Sequence, residues 1–155
     1  MGIELDDLML DVLTSEAFGF IGVVADSKQP VITRLFGFKY DNPITTLTVY
    51  TFKKDAQRVV DILSKGSKLS ITVSNVLNYK TCQFKGTYHS HYITPEEEMH
   101  YLRENNIKQG KHMNAFGVSS EVWESWKFEP SVAIVMNVEE IFDQTPRVNT
   151  GNKIN

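Results

Sequence analysis

Apolar side chains follow two periods along this chain, and the switches between them mark out its elements. Leu5, Leu8, Met9, Val12 and Leu13 recur at i, i+3, i+4, i+7 and i+8, which predicts an amphipathic helix. Glu4, Asp6 and Asp7 stand in its first turns, where the helix dipole favours acids. Gly19 to Asp26 carries Phe20, Ile21, Val23 and Val24 in a short apolar run, read as a buried strand. A turn through Asp26, Ser27, Lys28, Gln29 and Pro30 leads into an alternating strand, Val31 to Lys39, so the two strands should form a hairpin. In the second strand Ile32, Arg34, Phe36 and Phe38 share a face, which sets a guanidinium in an otherwise apolar row. Tyr40-Asp41-Asn42-Pro43 then reverses the chain into Ile44 to Phe52, rich in β-branched and aromatic residues.

The period changes to helical after Phe52. Lys53-Lys54-Asp55 opens a helix whose apolar positions are Ala56, Val59, Val60, Ile62 and Leu63, and Ser64-Lys65-Gly66-Ser67 stops it. Leu69, Ile71 and Val73 alternate with polar neighbours, a half-buried strand. A long strand runs from Tyr79 to about Tyr92, with Cys82, Phe84, Gly86 and Tyr88 on one face. Its other face is polar: Tyr79, Thr81, Gln83, Lys85, Thr87 and His89. Thr94-Pro95-Glu96-Glu97 reads as a helix start with Thr94 as N-cap and Glu97 closing a capping box. That helix is expected to end near Asn105-Asn106 or Gly110, with 111–130 irregular and holding Trp123 and Trp126. Val132 to Val138 is a last apolar strand, and the polar tail from Gln144 is expected to be loose. The tight spacing of successive strands implies antiparallel pairing, unlike a doubly wound nucleotide fold. Six short strands with three peripheral helices predict a small β-barrel.

Composition narrows the functional classes. A length of 155 residues suits one domain with a real core, and a net charge of −3 gives no argument for nucleic acid or an anionic membrane as partner. One cysteine, Cys82, excludes an internal disulfide framework and a Cys-based zinc cluster, and it fits a reducing compartment. No apolar run spans a bilayer, and the acidic first residues are unlike a signal peptide, so a cytoplasmic location is expected.

The strongest chemical signal is the basic helix start. Lysines at a helix N-terminus oppose the macrodipole, at roughly 0.3–1 kcal/mol each. An anion held by free backbone N–H groups would reverse that penalty, and Arg34, Lys53, Lys54 and Arg58 could close around it. A solvated basic helix end plus a salt-bridged Arg34 is the alternative. His89 and His91 share a strand face, but no third ligand stands at metal-binding spacing. Glu96, Glu97 and Glu98 sit where a helix first turn favours acids, and no GxSxG, Walker A or GxGxxG motif is present. Trp123 and Trp126 suit a subunit contact, a planar ligand or core packing alike.

Four features together resemble a known family. Pro30 precedes a strand carrying Arg34-Leu35-Phe36-Gly37-Phe38-Lys39, an Arg-x4-Lys run; Tyr50-Thr51 ends the next strand. Asp55-Ala56-Gln57-Arg58-Val59 starts the following helix, and Lys80-Thr81-Cys82-Gln83-Phe84-Lys85-Gly86 forms a polar strand. In order and spacing these resemble the pyridoxamine 5′-phosphate oxidase-like family of FMN-binding split barrels. The resemblance implies a single-domain, six-stranded antiparallel split barrel that forms a homodimer with FMN at the subunit interface. It implies cofactor contacts from Arg34, Leu35, Phe36, Lys39, Tyr50, Thr51, Lys53, Gln57 and Arg58. Thr81 and Gln83 would meet the flavin from the partner subunit. The activity implied is that of a flavin-dependent oxidoreductase of open substrate. Two departures bear on this. Asp55 or Ala56 stands where the family has Ser, and the C-terminal Arg-x-His signature of vitamin B6 oxidation is absent. No side chain stands out as an acid or base, so no catalytic residue is assigned. The same barrel could instead hold haem, with His89 or His91 as axial ligand, or a deazaflavin, or serve as a cofactor-free dimer.

Overall fold

The computed structural model describes residues 2–14, 17–25, 27–125, 131–148 and 150–154. Asp26 of the first turn and Trp126 therefore lie outside the described residues. In chain order the elements are α1 (Asp7–Thr14), β1 (Phe18–Val24), β2 (Pro30–Leu35), β3 (Gly37–Tyr40), β4 (Thr46–Phe52) and α2 (Lys53–Val60). They continue with β5 (Lys68–Ser74), β6 (Thr81–Ile93), α3 (Glu96–Ala115), α4 (Ser120–Glu124) and β7 (Ser131–Asp143). The described strands form one antiparallel sheet of seven, ordered β2-β1-β5-β6-β7-β4-β3. Antiparallel pairing and the β1–β2 hairpin are as the sequence predicts.

The seventh strand arises because the run expected from Val31 to Lys39 is broken at Phe36. Its first half pairs with β1 and its second half with β4, so one bent strand supplies both edges of the sheet. Phe36 N donates to Tyr50 O at 2.8 Å, and Thr51 Oγ1 donates to the Arg34 carbonyl at 2.8 Å, which ties the bend to β4. The sheet thus curls into a half-barrel with flanking helices. The bend also splits the expected row Ile32, Arg34, Phe36, Phe38. Ile32 faces outward, Phe38 joins the main core, and Phe36 packs with Tyr50, Met99, Leu102 and Ala133 in a second cluster.

The main core lines the inner face of the sheet with Ile21, Leu35, Leu47, Val49, Ile71, Val73, Phe84, Ile134, Met136 and Ile141. Met9, Val12 and Leu13 of α1 and Ala56 and Val59 of α2 close its ends. Each of these side chains larger than alanine contributes about 1.5–3 kcal/mol when fully buried. α1 begins at Asp7 rather than at Leu5, with Asp6 Oδ1 accepting from Met9 N at 2.8 Å.

Four helices are present among the described residues, one more than expected, and the segment after Gly110 is not irregular throughout. α3 runs on to Ala115, and 120–124 forms α4. Gly110 is not a helix stop; it makes room for Trp123, whose Cδ1 would lie 2.5 Å from a Cβ there. Thr94 does not cap α3, because its Oγ1 donates to Ser131 Oγ at 3.1 Å and the N-cap position falls on Pro95. β6 starts at Thr81, after Tyr79 at a φ of 61°, and register shifts at Lys85/Gly86 and Tyr88/Ser90 let this long strand follow the curl. β7 is longer than expected and reaches Asp143. The tail is pinned, not loose: Gln144 N donates to Thr81 O at 2.8 Å and Ile154 N to Ile141 O at 2.9 Å.

Candidate functional site

The bend at Phe36 places the functional side chains. Arg34 is the last outward-facing residue of β2, and its guanidinium carbon lies 5.2, 5.6 and 5.9 Å from the ring centres of Phe18, Phe36 and Trp123. Ring faces attract a cation, while partial burial lowers the pKa of Arg34 from its ordinary value. Beside it, α2 packs against β2 and β4. Its N-cap is Phe52, with no side-chain hydrogen bond to the helix start, and Lys53, Lys54, Gln57 and Arg58 are all exposed. Only Asp55 is acidic in the first turn, so the helix start is basic as well as uncapped.

The other residues named from the sequence fall in different settings. Leu35 is in the main core at 1% exposure. Thr51 is fully buried, and its hydroxyl is spent on the Arg34 carbonyl, so it holds the strand that carries Arg34. Lys39 lies beyond the bend and pairs with Glu98 of α3. Tyr50 is buried beneath α3; burial first, and then Glu98, push its phenol pKa far up. Thr81 and Gln83 share the face of β6 opposite Cys82 and Phe84; Thr81 is buried there at 8% exposure with its Oγ1 donating to Tyr79 O at 3.0 Å, and Gln83 is half-buried with Nε2 reaching Thr72 Oγ1 at 3.5 Å. In the sheet order β6 stands three strands from β2, roughly 14 Å at ~4.8 Å per strand. Arg34 and the set Lys53, Lys54, Gln57 and Arg58 therefore lie on two elements that pack together, β2 and α2, with the Arg34 guanidinium turned toward Phe18, Phe36 and Trp123 and Arg58 in the last turn of the helix. Thr81 and Gln83 are apart from them within one chain.

His91 Nδ1 meets Tyr88 Oη at 2.6 Å and His89 Nδ1 meets Ser90 Oγ at 2.9 Å; both imidazoles are exposed. Among the described residues no group of three His, Cys, Asp or Glu is placed to hold a metal. Trp123 is a packing residue: it is 4% exposed, donates from Nε1 to Asn106 O at 2.9 Å, and meets Phe18 edge-on at 5.7 Å. No described helix is long and apolar enough to cross a membrane.

Sequence reasoning missed the polar stripe of α3. Tyr101 Oη donates to Phe38 O at 3.3 Å, Asn105 Nδ2 to Phe36 O at 3.4 Å, and Gln109 Nε2 to Ala17 O at 3.0 Å. At the head of the same stripe Glu98 takes Lys39 and the Tyr92 hydroxyl, the latter at 2.9 Å. Burial raises the Glu98 pKa, but the contacts with Lys39 and Tyr92 outweigh it and leave the carboxyl below its usual range. These positions, spaced i, i+3, i+7 and i+11, share one helical face. The signal was present as a polar stripe where an apolar one would ordinarily face the protein. Between α3, β3 and β4 this arrangement leaves a cavity of about 570 Å³.

No family model matches the sequence, and a search of curated proteins finds no match. Solved structures do match. HupZ of Group A Streptococcus, as a tagged form, superposes at a TM-score of 0.55 with 16% identity over 96% of this chain and 98% of its own. An F420 reductase superposes at 0.52 with 14% identity, over 85% and 94% of the two chains. An FMN-binding protein from Syntrophomonas wolfei reaches 0.49 with 10% identity, over 81% and 75%. At these identities the first two likenesses establish a shared fold.

Proposed function

We propose that the chain is an FMN-binding flavoprotein of oxidoreductase type, acting as a homodimer on a substrate yet to be assigned. The observation that carries this reading is the start of α2, bearing Lys53 and Lys54 with no side-chain cap, on a helix that packs against the strand that carries Arg34. The residues fit the phosphate end of a flavin nucleotide. Free amides and basic side chains offer an anion both hydrogen bonds and charge, and the planar fork of an arginine suits a phosphate's paired oxygens. Arg34 and Arg58 would hold the phosphate, Lys53 and Lys54 would add charge, and Gln57 would assist. Leu35, Phe36 and Tyr50 belong to the strand walls near the bend. Thr51 supports Arg34 rather than offering its own hydroxyl, and Lys39 is shared with Glu98.

When bound, the flavin supplies hydride or electron transfer as its own chemistry. The protein's part is to fix the cofactor's position and to limit water around it. The homodimer is supported by the outer face of β1 and β2, where Phe20, Val24 and Ile32 are 54%, 63% and 63% exposed. In such a dimer the contacts expected of Thr81 and Gln83 would come from the partner subunit, since its own chain's β6 stands apart from α2 and β2. The likeness to an F420 reductase favours a deazaflavin in place of FMN as the second reading.

Titration with FMN and riboflavin tests the proposal. FMN is expected to bind far more tightly than riboflavin, which has the ring and lacks the phosphate, and high salt should weaken FMN selectively. Equal binding of the two would remove the phosphate clamp. Light scattering should give a dimer, and a monodisperse monomer still holding flavin would remove the two-subunit site. Binding of a deazaflavin with no binding of FMN would establish the second reading.

A further inference from the structure

The cavity between α3 and the β3–β4 hairpin has a chemistry of its own. Its walls are aromatic: Phe38 and Tyr40 from β3, Tyr50 from β4 and Tyr101 from α3. Tyr50 forms a nearly buried floor, Phe38 lines the cavity from the opposite face of the hairpin, and Tyr101 stands on the rim at 45% exposure, steadied by its hydroxyl on the Phe38 carbonyl. The ionisable groups at the mouth are Glu97, Glu98 and Lys39. Two carboxylates thus face one ammonium. The start of α3 adds a partial positive charge of about one half, which leaves the cavity with an excess of negative charge. Glu98 accepts from Lys39 and Tyr92 and also meets the Tyr50 hydroxyl, so the exposed Glu97 is the carboxylate with open acceptor positions. Ring faces and carboxylates act in the same direction, since both attract cations and repel anions.

From this geometry we infer that the cavity is a binding site for a small organic cation, an amine or quaternary ammonium on a compact apolar body. The volume, about 570 Å³, falls in the range of small-molecule sites. The charged head lies between Glu97, Glu98 and the Tyr101 ring, and the apolar body rests on Tyr50. The site shares Lys39 and Tyr50 with the flavin reading but does not depend on it.

The test uses 2-phenylethylammonium and its anionic counterpart 3-phenylpropionate as probes, titrated into the protein as purified and followed by amide chemical shifts. The ammonium is expected to bind with shifts confined to 37–50 and 95–101, and the carboxylate is not. Glu98→Gln and Tyr101→Leu should each weaken the ammonium by about tenfold, the scale of a lost desolvated cation–π or charge contact. Tyr101→Phe keeps the ring, drops the hydrogen bond to Phe38 and should bind as the parent does. That variant separates a ring contact from a structural role for Tyr101, and it remains informative if Glu98→Gln does not fold. Failure of the ammonium to bind, equal binding of 3-phenylpropionate, or equal losses in Tyr101→Phe and Tyr101→Leu would each overturn the assignment. FMN affinity, measured separately, decides the flavin reading by itself.

Discussion

Replacing Gln109 with leucine tests whether α3 is clamped to the barrel by its polar stripe. Gln109 is 1% exposed, and its Nε2 donates to the carbonyl of Ala17, which is itself 1% exposed and 92 residues away in sequence. Leucine is of similar size and removes the donor while leaving the acceptor buried. The cost is the desolvation of an unpaired carbonyl, about 1–3 kcal/mol, reduced by whatever the new apolar contacts return. For a chain of this length, that corresponds to a fall in melting temperature of roughly 2–12 °C. Asn105→Ala is the internal comparison. Its bond to Phe36 O is long, 3.4 Å, and its side chain is only half-buried, so less than about 1 kcal/mol is expected. Scanning calorimetry with urea denaturation reads both variants. The order Gln109→Leu well below Asn105→Ala supports the clamp. A Gln109→Leu protein as stable as the parent would refute it, and the hold on α3 would then lie with Met99, Leu102 and the contacts nearer its start.

Three further outcomes follow from single groups. Arg34→Met keeps most of the stem against Phe18 and Trp123 and removes the charge, so FMN affinity should fall by about 1.5–3 kcal/mol in a calorimetric titration while riboflavin changes little. Asp41 accepts from the Thr45 and Thr46 amides at 2.9 and 2.8 Å; burial raises its pKa, but the Thr45 hydroxyl and these amides win and bring it from 3.8 to about 2. A depressed folded value means its stabilisation is complete above pH 3.8 and is lost as pH falls through 2, so Asp41→Asn should flatten that acid limb in a pH-dependent melt. Burial, then Asp6 and Asp143, push the Cys82 thiol up to about 12, so iodoacetamide at pH 8 should label it only after denaturant is added; prompt labelling of the native protein would contradict its placement.

The sheet was readable in the sequence because its signal is local. Leu69, Ile71 and Val73 alternate, and so do Cys82, Phe84 and Gly86; both sets point inward as the period requires. The bend at Phe36 was not readable. Nothing in Arg34-Leu35-Phe36-Gly37 interrupts the alternation, and only pairing to two different partners reveals the break. Gly110 was misread for a related reason. Glycine ends a helix when it takes a left-handed conformation, but here it admits the Trp123 ring, a tertiary contact invisible to local pattern. Lys53 and Lys54 were visible as charge at the wrong end of a helix; the structure packs that helix against the strand carrying Arg34 and puts Arg58 in its last turn, the end that suits a cation. The polar stripe of α3 was visible as a pattern, but its role was not, because the partners of Tyr101, Asn105 and Gln109 are backbone carbonyls, which leave no mark in a sequence.

One geometric necessity links the clamp, the bend and the candidate sites. An open antiparallel sheet has two edges whose backbone groups need partners, and an edge buried without them costs free energy at every unpaired carbonyl. This chain meets that demand twice over with one bent strand. At the bend, Phe36 N and the Arg34 carbonyl are taken up by β4 through Tyr50 and Thr51. Along β3, the Phe36 and Phe38 carbonyls are taken up by Asn105 and Tyr101 of α3. A helix that satisfies an edge by side chains stands farther off than a neighbouring strand does, because a side chain and a helix radius intervene. The cavity lined by Tyr50, Glu98 and Tyr101 occupies that extra space. Shortening the donors should therefore shrink the cavity as well as loosen the helix. In Tyr101→Ser the rim ring is lost and α3 can settle toward β3, so binding of an organic cation should fall even where the melting temperature is kept.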